Sequence, residues 1–196
     1  DSHTAAMEAR AAEEVAVKYD ISREDQDKFA LGSHQKALKA LAEGKFKNQI
    51  VPFEVEQVNF DPATNKRVTS KYIVDTDEGP RADTSLEALA KLRPAFKNNG
   101  TVTAGNSSQT SDGASFVLVM SEQMVKDLGL EPKARLVSSV SVGVSPRYMG
   151  IGPMEAIPKA LSKAGLKLGD IDQIELNEAF ASQSLAVLRG LDINPD

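Results

Sequence analysis

Asn177 sits in the segment Glu175-Leu-Asn-Glu-Ala-Phe-Ala181, between a predicted strand at 173–176 and a predicted amphipathic helix at 178–188. Its side chain would therefore project at the carboxyl end of a strand, where α/β proteins commonly place ligands. The same position suits a helix cap, because asparagine is among the strongest N-cap residues. A second segment, Thr101-Val-Thr-Ala-Gly-Asn-Ser-Ser-Gln-Thr-Ser-Asp-Gly-Ala-Ser115, gathers Gly105, Asn106, Ser107, Ser108, Ser111, Asp112 and Gly113. Such residues turn the backbone tightly, expose its N–H groups and admit a close-lying molecule. Composition alone also allows an ordinary polar loop, with Ser108 a turn serine. Cysteine is absent altogether, which excludes thiolate nucleophiles, disulfides and zinc–thiolate sites within this chain. The two histidines, His3 and His34, are too far apart in sequence to suggest a transition-metal cluster.

The elements that must position these residues follow from periodicity and punctuation. A helix is predicted over 5–18, rich in Ala, Glu, Met and Arg. A second starts after Ser22 as N-cap, with Asp25 at its third position, and ends at Gly44. Residues 49–56 read as a strand with Pro52 at an edge, and the turn at 61–65 suggests a hairpin over 55–71. A short helix spans 85–92, and Ser121 caps another that ends before Gly129. Strands are predicted at 101–104, 116–120, 134–144 and 173–176. A helix at 154–164 is closed by Gly165, with Pro158 calling for a late start or a kink. The last third thus alternates strand and helix, the pattern of a parallel sheet covered by helices.

Bulk properties narrow the function classes. Hydrophobic residues make up 41% and charged residues 26% of 196, the balance of an ordinary globular protein. A net charge of −5 argues against a broad nucleic-acid footprint. No apolar run approaches a membrane span and the start lacks a signal peptide's apolar core, so a cytoplasmic location, or an organelle matrix, is expected. Gly150-Ile-Gly152 lacks the third glycine of a dinucleotide fingerprint, and no Gly-Lys-Ser/Thr phosphate loop occurs. Asp75-Thr-Asp-Glu-Gly79 begins like a calcium loop but lacks the later ligands. No metal and no cofactor are expected.

Together with Tyr148-Met-Gly-Ile-Gly-Pro-Met154, the two opening segments in this order and spacing resemble the thiolase family, acyltransferases that make or break carbon–carbon bonds between coenzyme A thioesters. The likeness runs from about Ile21 to the end and is nearest to degradative 3-ketoacyl-CoA thiolases of fatty-acid β-oxidation. It implies a layered αβαβα fold of two similar halves with an inserted α+β loop domain. On that scheme residues 1–106 form the loop domain, 107–130 the end of the first half and 131–196 the start of the second. Residues 1–11 depart from the pattern, with Glu8-Ala9-Arg10-Ala11 where the family carries Met-Gly and small residues.

The resemblance also implies roles. Asn177 matches an asparagine that positions a water in an oxyanion hole, the kind of neutral donor that stabilises developing negative charge. Ser108 matches a contact to the pantetheine arm, with Gly105 shaping its loop. Phe96, Met149 and Phe180 match apolar positions along the acyl and pantetheine channel, although core packing would explain them equally. Arg81 matches an arginine near the nucleotide end of coenzyme A, where a guanidinium can pair with phosphate and stack on adenine.

Thiolase chemistry needs a thiolate to accept the acyl group and a base at the α-carbon, and neither the cysteines nor the Gly-His-Pro setting is present here. The expectation is an incomplete piece of a thiolase, inactive alone, whose complete enzyme is a homodimer or homotetramer acting on acyl-CoA and coenzyme A. The alternative is a non-catalytic, coenzyme A-binding module. The thiolase expectation carries a geometric consequence: Asn177 and the turn 149–153 should meet at one concave site, with Ser108 lining the approach.

Overall fold

A computed structural model describes residues 2–195, with side chains from Met7 onward; the side chain of His3 and the whole of Asp196 fall outside it. Two long helices open the chain. Helix α1 is Ser2–Lys18 and α2 is Arg23–Ala42. The Ser22 hydroxyl accepts the Asp25 N–H at 3.0 Å, the predicted cap. Gly44, at φ +69°, ends the following turn in the left-handed region, as glycine readily does.

The hairpin forms as expected and runs two to three residues further at each end, with its first strand starting at Phe53 where 49 was predicted. Strands β1, Phe53–Phe60, and β2, Arg67–Val74, pair antiparallel from Phe53 opposite Val74 to Phe60 opposite Arg67. Asp61 closes the turn by accepting the Ala63 N–H at 2.8 Å, and those local donors hold its carboxyl below the ordinary range. Short helices α3, Leu86–Ala90, and α4, Glu122–Asp127, start at Ser85 and Ser121, whose hydroxyls cap them. A 3-10 turn, Pro146–Ile151, leads into α5, Gly152–Ala164, which tolerates Pro158 and closes at Gly165 with φ +71°. The last helix, α6, is Ala181–Leu191.

The core is helical. Val15, Ile21 and Ala186 are buried together, with Tyr19, Tyr148, Ile151 and Leu185 packed around them. Ala9, Ala12 and Ala16 keep the buried side of α1 thin, and the Ser182 hydroxyl of α6 donates to Ala12 O across the gap at 3.0 Å. Arg147 pairs with Glu14, and Lys18 lies 4.3 Å from the Tyr148 ring centre, tying the 3-10 turn to α1.

Four predicted strands behave differently. Residues 101–104, 116–120, 134–144 and 173–176 belong to no sheet; among the described residues the hairpin is the one sheet. A β-forming run needs a partner to pair its backbone, and none of these finds one here. Phe116, Val117, Leu118 and Val119 are 96, 85, 82 and 78% exposed. Helix α6 also begins three residues later than predicted, which matters for Asn177.

Candidate functional site

The site is built around residues 101–108, which are held by side chains instead of by a β-ladder. At one end the buried Glu13 carboxylate of α1 accepts the Thr101 N–H at 2.9 Å, the Val102 N–H at 2.9 Å and the Thr101 hydroxyl at 3.2 Å. In the middle, Asn106 Oδ1 accepts the Thr103 N–H at 2.8 Å while its Nδ2 donates to Asp27 Oδ1 at 3.0 Å and to Thr101 O at 3.1 Å. Thr103 Oγ1 accepts the Gly105 N–H, and the Ser107 hydroxyl donates to Thr103 O at 2.7 Å. Gly105 is required sterically: a Cβ there would lie 2.5 Å from Leu89 Cδ2 and 2.6 Å from Leu92 Cδ1.

This loop is stitched to the Asn177 segment. Ser108 N–H donates to Ala179 O at 2.9 Å and Ala181 N–H to Asn106 O at 3.0 Å, with Ser107 bridged to Phe180. A cleft of about 1110 Å³ opens beside the junction, lined by Gly105 and Ser108 from the loop, by Asn177 and Glu178, by His34 of α2, and by Arg81. Four of the seven residues singled out from sequence, Asn177, Ser108, Gly105 and Arg81, thus share one concavity.

Phe96, Met149 and Phe180 do not line this cleft. Phe96 and Met149 are surface-exposed, at 38 and 46%, and Phe180 is half-buried at the residue before α6. The predicted meeting of Asn177 with turn 149–153 does not occur at the cleft. That turn packs on α1 and α6 instead, since Gly150 lies so near Gln183 that a Cβ would be 2.9 Å from its Cγ. Nor is Asn177 a helix cap, because the N-cap of α6 is Phe180.

Arg81 is already engaged. Its Nε and Nη2 donate to Asp83 at 3.1 and 2.9 Å, and its backbone N–H donates to His34 Nδ1 at 3.1 Å. The guanidinium holds the exposed Asp83 carboxyl below its ordinary range. The cleft therefore offers hydroxyls, an amide, an imidazole, one guanidinium paired with Asp83, and the carboxylates of Glu175 and Glu178, a polar lining that is acidic on balance. Sequence reading passed over His34 and Glu178, whose carboxylate accepts the Ser33 hydroxyl at 2.6 Å. It also passed over Glu13 and Asp27, whose partners lie far along the chain; the one legible sign was the four-residue spacing of Arg23 and Asp27. Among the described residues no group of acidic or histidine side chains could hold a metal, and no helix is long and apolar enough to cross a membrane.

The described residues combine helices with one antiparallel hairpin, and a polar cleft opens where a small-residue loop meets the segment before a helix. Comparison makes this specific. Residues 1–123 match the thiolase N-terminal domain and 130–196 the thiolase C-terminal domain, and the chain belongs to the thiolase family. It is 54% identical to the 3-ketoacyl-CoA thiolase of Bacillus subtilis over 94% of this chain and 47% of that protein. Among solved structures, the acetyl-CoA acetyltransferase of Bacillus anthracis superposes with a TM-score of 0.82 at 45% identity, over 95% of this chain and 45% of that one. Human mitochondrial 3-ketoacyl-CoA thiolase gives 0.79 at 45% identity, over 95% and 44%. The thiolase fold expected from the sequence is thereby shown, and the chain spans about half the length of the relatives it matches.

Proposed function

We propose that this chain is part of an enzyme that transfers acyl groups between 3-ketoacyl-CoA and coenzyme A, and that it supplies one wall of the coenzyme A site and a piece of the oxyanion apparatus. The observation that carries the reading is the convergence of Asn177, Ser108, Gly105 and Arg81 on one cleft from three separate segments. Asn177 would orient a donor toward the thioester oxygen as negative charge develops there. Ser108 and the Gly105 backbone would meet the pantetheine arm. Arg81 would face the nucleotide end, sharing its guanidinium between Asp83 and a phosphate. Phe96, Met149 and Phe180 would join the acyl channel only with surfaces beyond this cleft.

The division at 1–106, 107–130 and 131–196 into loop domain and two partial halves belongs to the same reading, as do a dimeric or tetrameric complete enzyme and a cytoplasmic or organelle-matrix location. The thiolate would come from outside these residues, since the chain contains no cysteine. The pure chain is accordingly expected to cleave no acetoacetyl-CoA, and turnover by contaminant-free material would overturn this. In an enzyme assembled from this chain and the cysteine-bearing part of a thiolase, Asn177→Ala is expected to lower kcat roughly ten- to a thousand-fold. A normal rate with the fold intact would remove Asn177 from the chemistry.

A further inference from the structure

We infer that Asp27 is a positioning residue for the ligand loop: its buried carboxylate anchors the Asn106 amide, and through it the placement of Gly105, Ser107 and Ser108 at the cleft. The inference rests on the proposed coenzyme A site and goes beyond it, because Asp27 does not itself line the cleft.

Asp27 is 4% exposed and its two carboxylate oxygens serve different segments. Oδ2 accepts Arg23 Nε at 2.8 Å, and the same guanidinium donates through Nη2 to Leu89 O at 2.6 Å and Leu92 O at 3.1 Å. Leu89 and Leu92 are the residues whose side chains close over Gly105. Oδ1 accepts Asn106 Nδ2 at 3.0 Å. One buried carboxylate thus joins α2, the end of α3 and the ligand loop, which together form one side of the cleft.

The chemistry of an ionised carboxylate makes this more than packing. A carboxylate only accepts, so Asn106 must turn its NH₂ toward Asp27 and its carbonyl oxygen toward the Thr103 N–H. A neutral amide at position 27 has one acceptor oxygen for two facing donors, Arg23 Nε and Asn106 Nδ2, so its NH₂ is set against one of them and Asn106 is left to its Thr103 and Thr101 contacts alone. It also leaves the Arg23 guanidinium without its counter-charge in a partly buried place, which weakens its hold on Leu89 and Leu92. The Asn106 backbone carbonyl accepts the Ala181 N–H, and Ser108 N–H reaches Ala179 O, so a displaced Asn106 carries the junction with the Asn177 segment along with it.

The test is calorimetric titration of coenzyme A into the full chain, under conditions where circular dichroism shows each variant folded. Asp27→Asn is expected to weaken binding about tenfold or more, the scale of one charge-assisted contact that no longer holds the loop. Destabilisation of Asp27→Asn with affinity held within about twofold overturns the inference, because a merely structural role moves the melt and leaves the native affinity alone. Hydrogen exchange reads the same variant independently of any ligand. The 103–108 amides are expected to exchange about tenfold faster or more, with α1 little changed, and unchanged loop protection overturns the inference. Failure of the unaltered chain to bind coenzyme A counts against the proposed site instead, and hydrogen exchange then decides whether Asp27 orders the loop.

Discussion

Residues 101–108 and 116–120 are near neighbours in the chain, both predicted to begin or form strands, and they end in opposite conditions. Val102 and Thr103 are fully buried, and the loop's backbone groups are met by Glu13, Asn106 and Ala179. Phe116 and its neighbours expose nearly all of their apolar surface. The difference lies in where the partner comes from. Residues 101–108 take theirs from Glu13 on α1, from the loop's own Asn106 and from the backbone at Ala179, with Asp27 on α2 holding Asn106, whereas 116–120 need another strand. A polar loop can thus be finished locally by a few well-placed carboxylates and amides, while a core strand depends on a whole sheet.

The largest effect that would sharpen this contrast is removal of Glu13. Glu13→Ala leaves buried N–H groups of Thr101 and Val102 unpaired, and a loss of about 3 kcal/mol is expected in urea unfolding, the scale of charge-assisted bonds broken inside a protein. Phe116→Ser in the exposed run is expected to change the same measurement by less than about 0.5 kcal/mol. Equal effects would erase the distinction between the two regions.

Next comes Gly105. Gly105→Ala forces a methyl against Leu89 and Leu92, so a loss of about 1–3 kcal/mol is expected, along with weaker binding at the cleft. A neutral result would mean that α3 yields readily and is no fixed wall.

A smaller effect than either Glu13→Ala or Gly105→Ala is electrostatic. Asp25 of α2 accepts Arg189 of α6 at 3.0 Å, and that bond, ahead of the opposing cost of burial, lowers its pKa from the ordinary 3.8. A depressed carboxylate pKa contributes stability that is present above 3.8 and is lost as pH falls through the lower folded value. Wild type should therefore exceed Asp25→Asn slightly near neutral pH, by less than about 1 kcal/mol for so exposed a pair. The gap should narrow below the ordinary carboxylate range. A gap that widens in acid would reverse the sign assigned to this pair.

How much of this was legible in the sequence varies with the range of the interaction. The caps at Ser22 and Ser121, the hairpin turn at Asp61 and the glycine stops at 44, 129 and 165 are local, and each appears where expected, while the cap at Ser85 was read only as the start of a helix. The small-residue loop and the Asn177 segment were also found, because their composition is distinctive. The partners of Glu13 and Asp27 were not, since contacts across some eighty residues leave no mark in spacing. The turn 149–153 was misplaced for a related reason. Its glycines resemble a ligand loop, and only the structure shows that Gly150 gives room to Gln183. The four strands predicted at 101–104, 116–120, 134–144 and 173–176 do not form, because pairing is a property of partners and not of the run itself.

On the proposed reading, the cleft beside the 101–108 loop receives coenzyme A. Amide and side-chain NMR of the labelled chain during a coenzyme A titration tests it most directly. The account predicts saturable shifts at Gly105, Ser108, Arg81 and Asn177, with the 116–120 run and Met149 unmoved. Shifts confined to that apolar run or to the 146–151 turn, with the cleft silent, would contradict it.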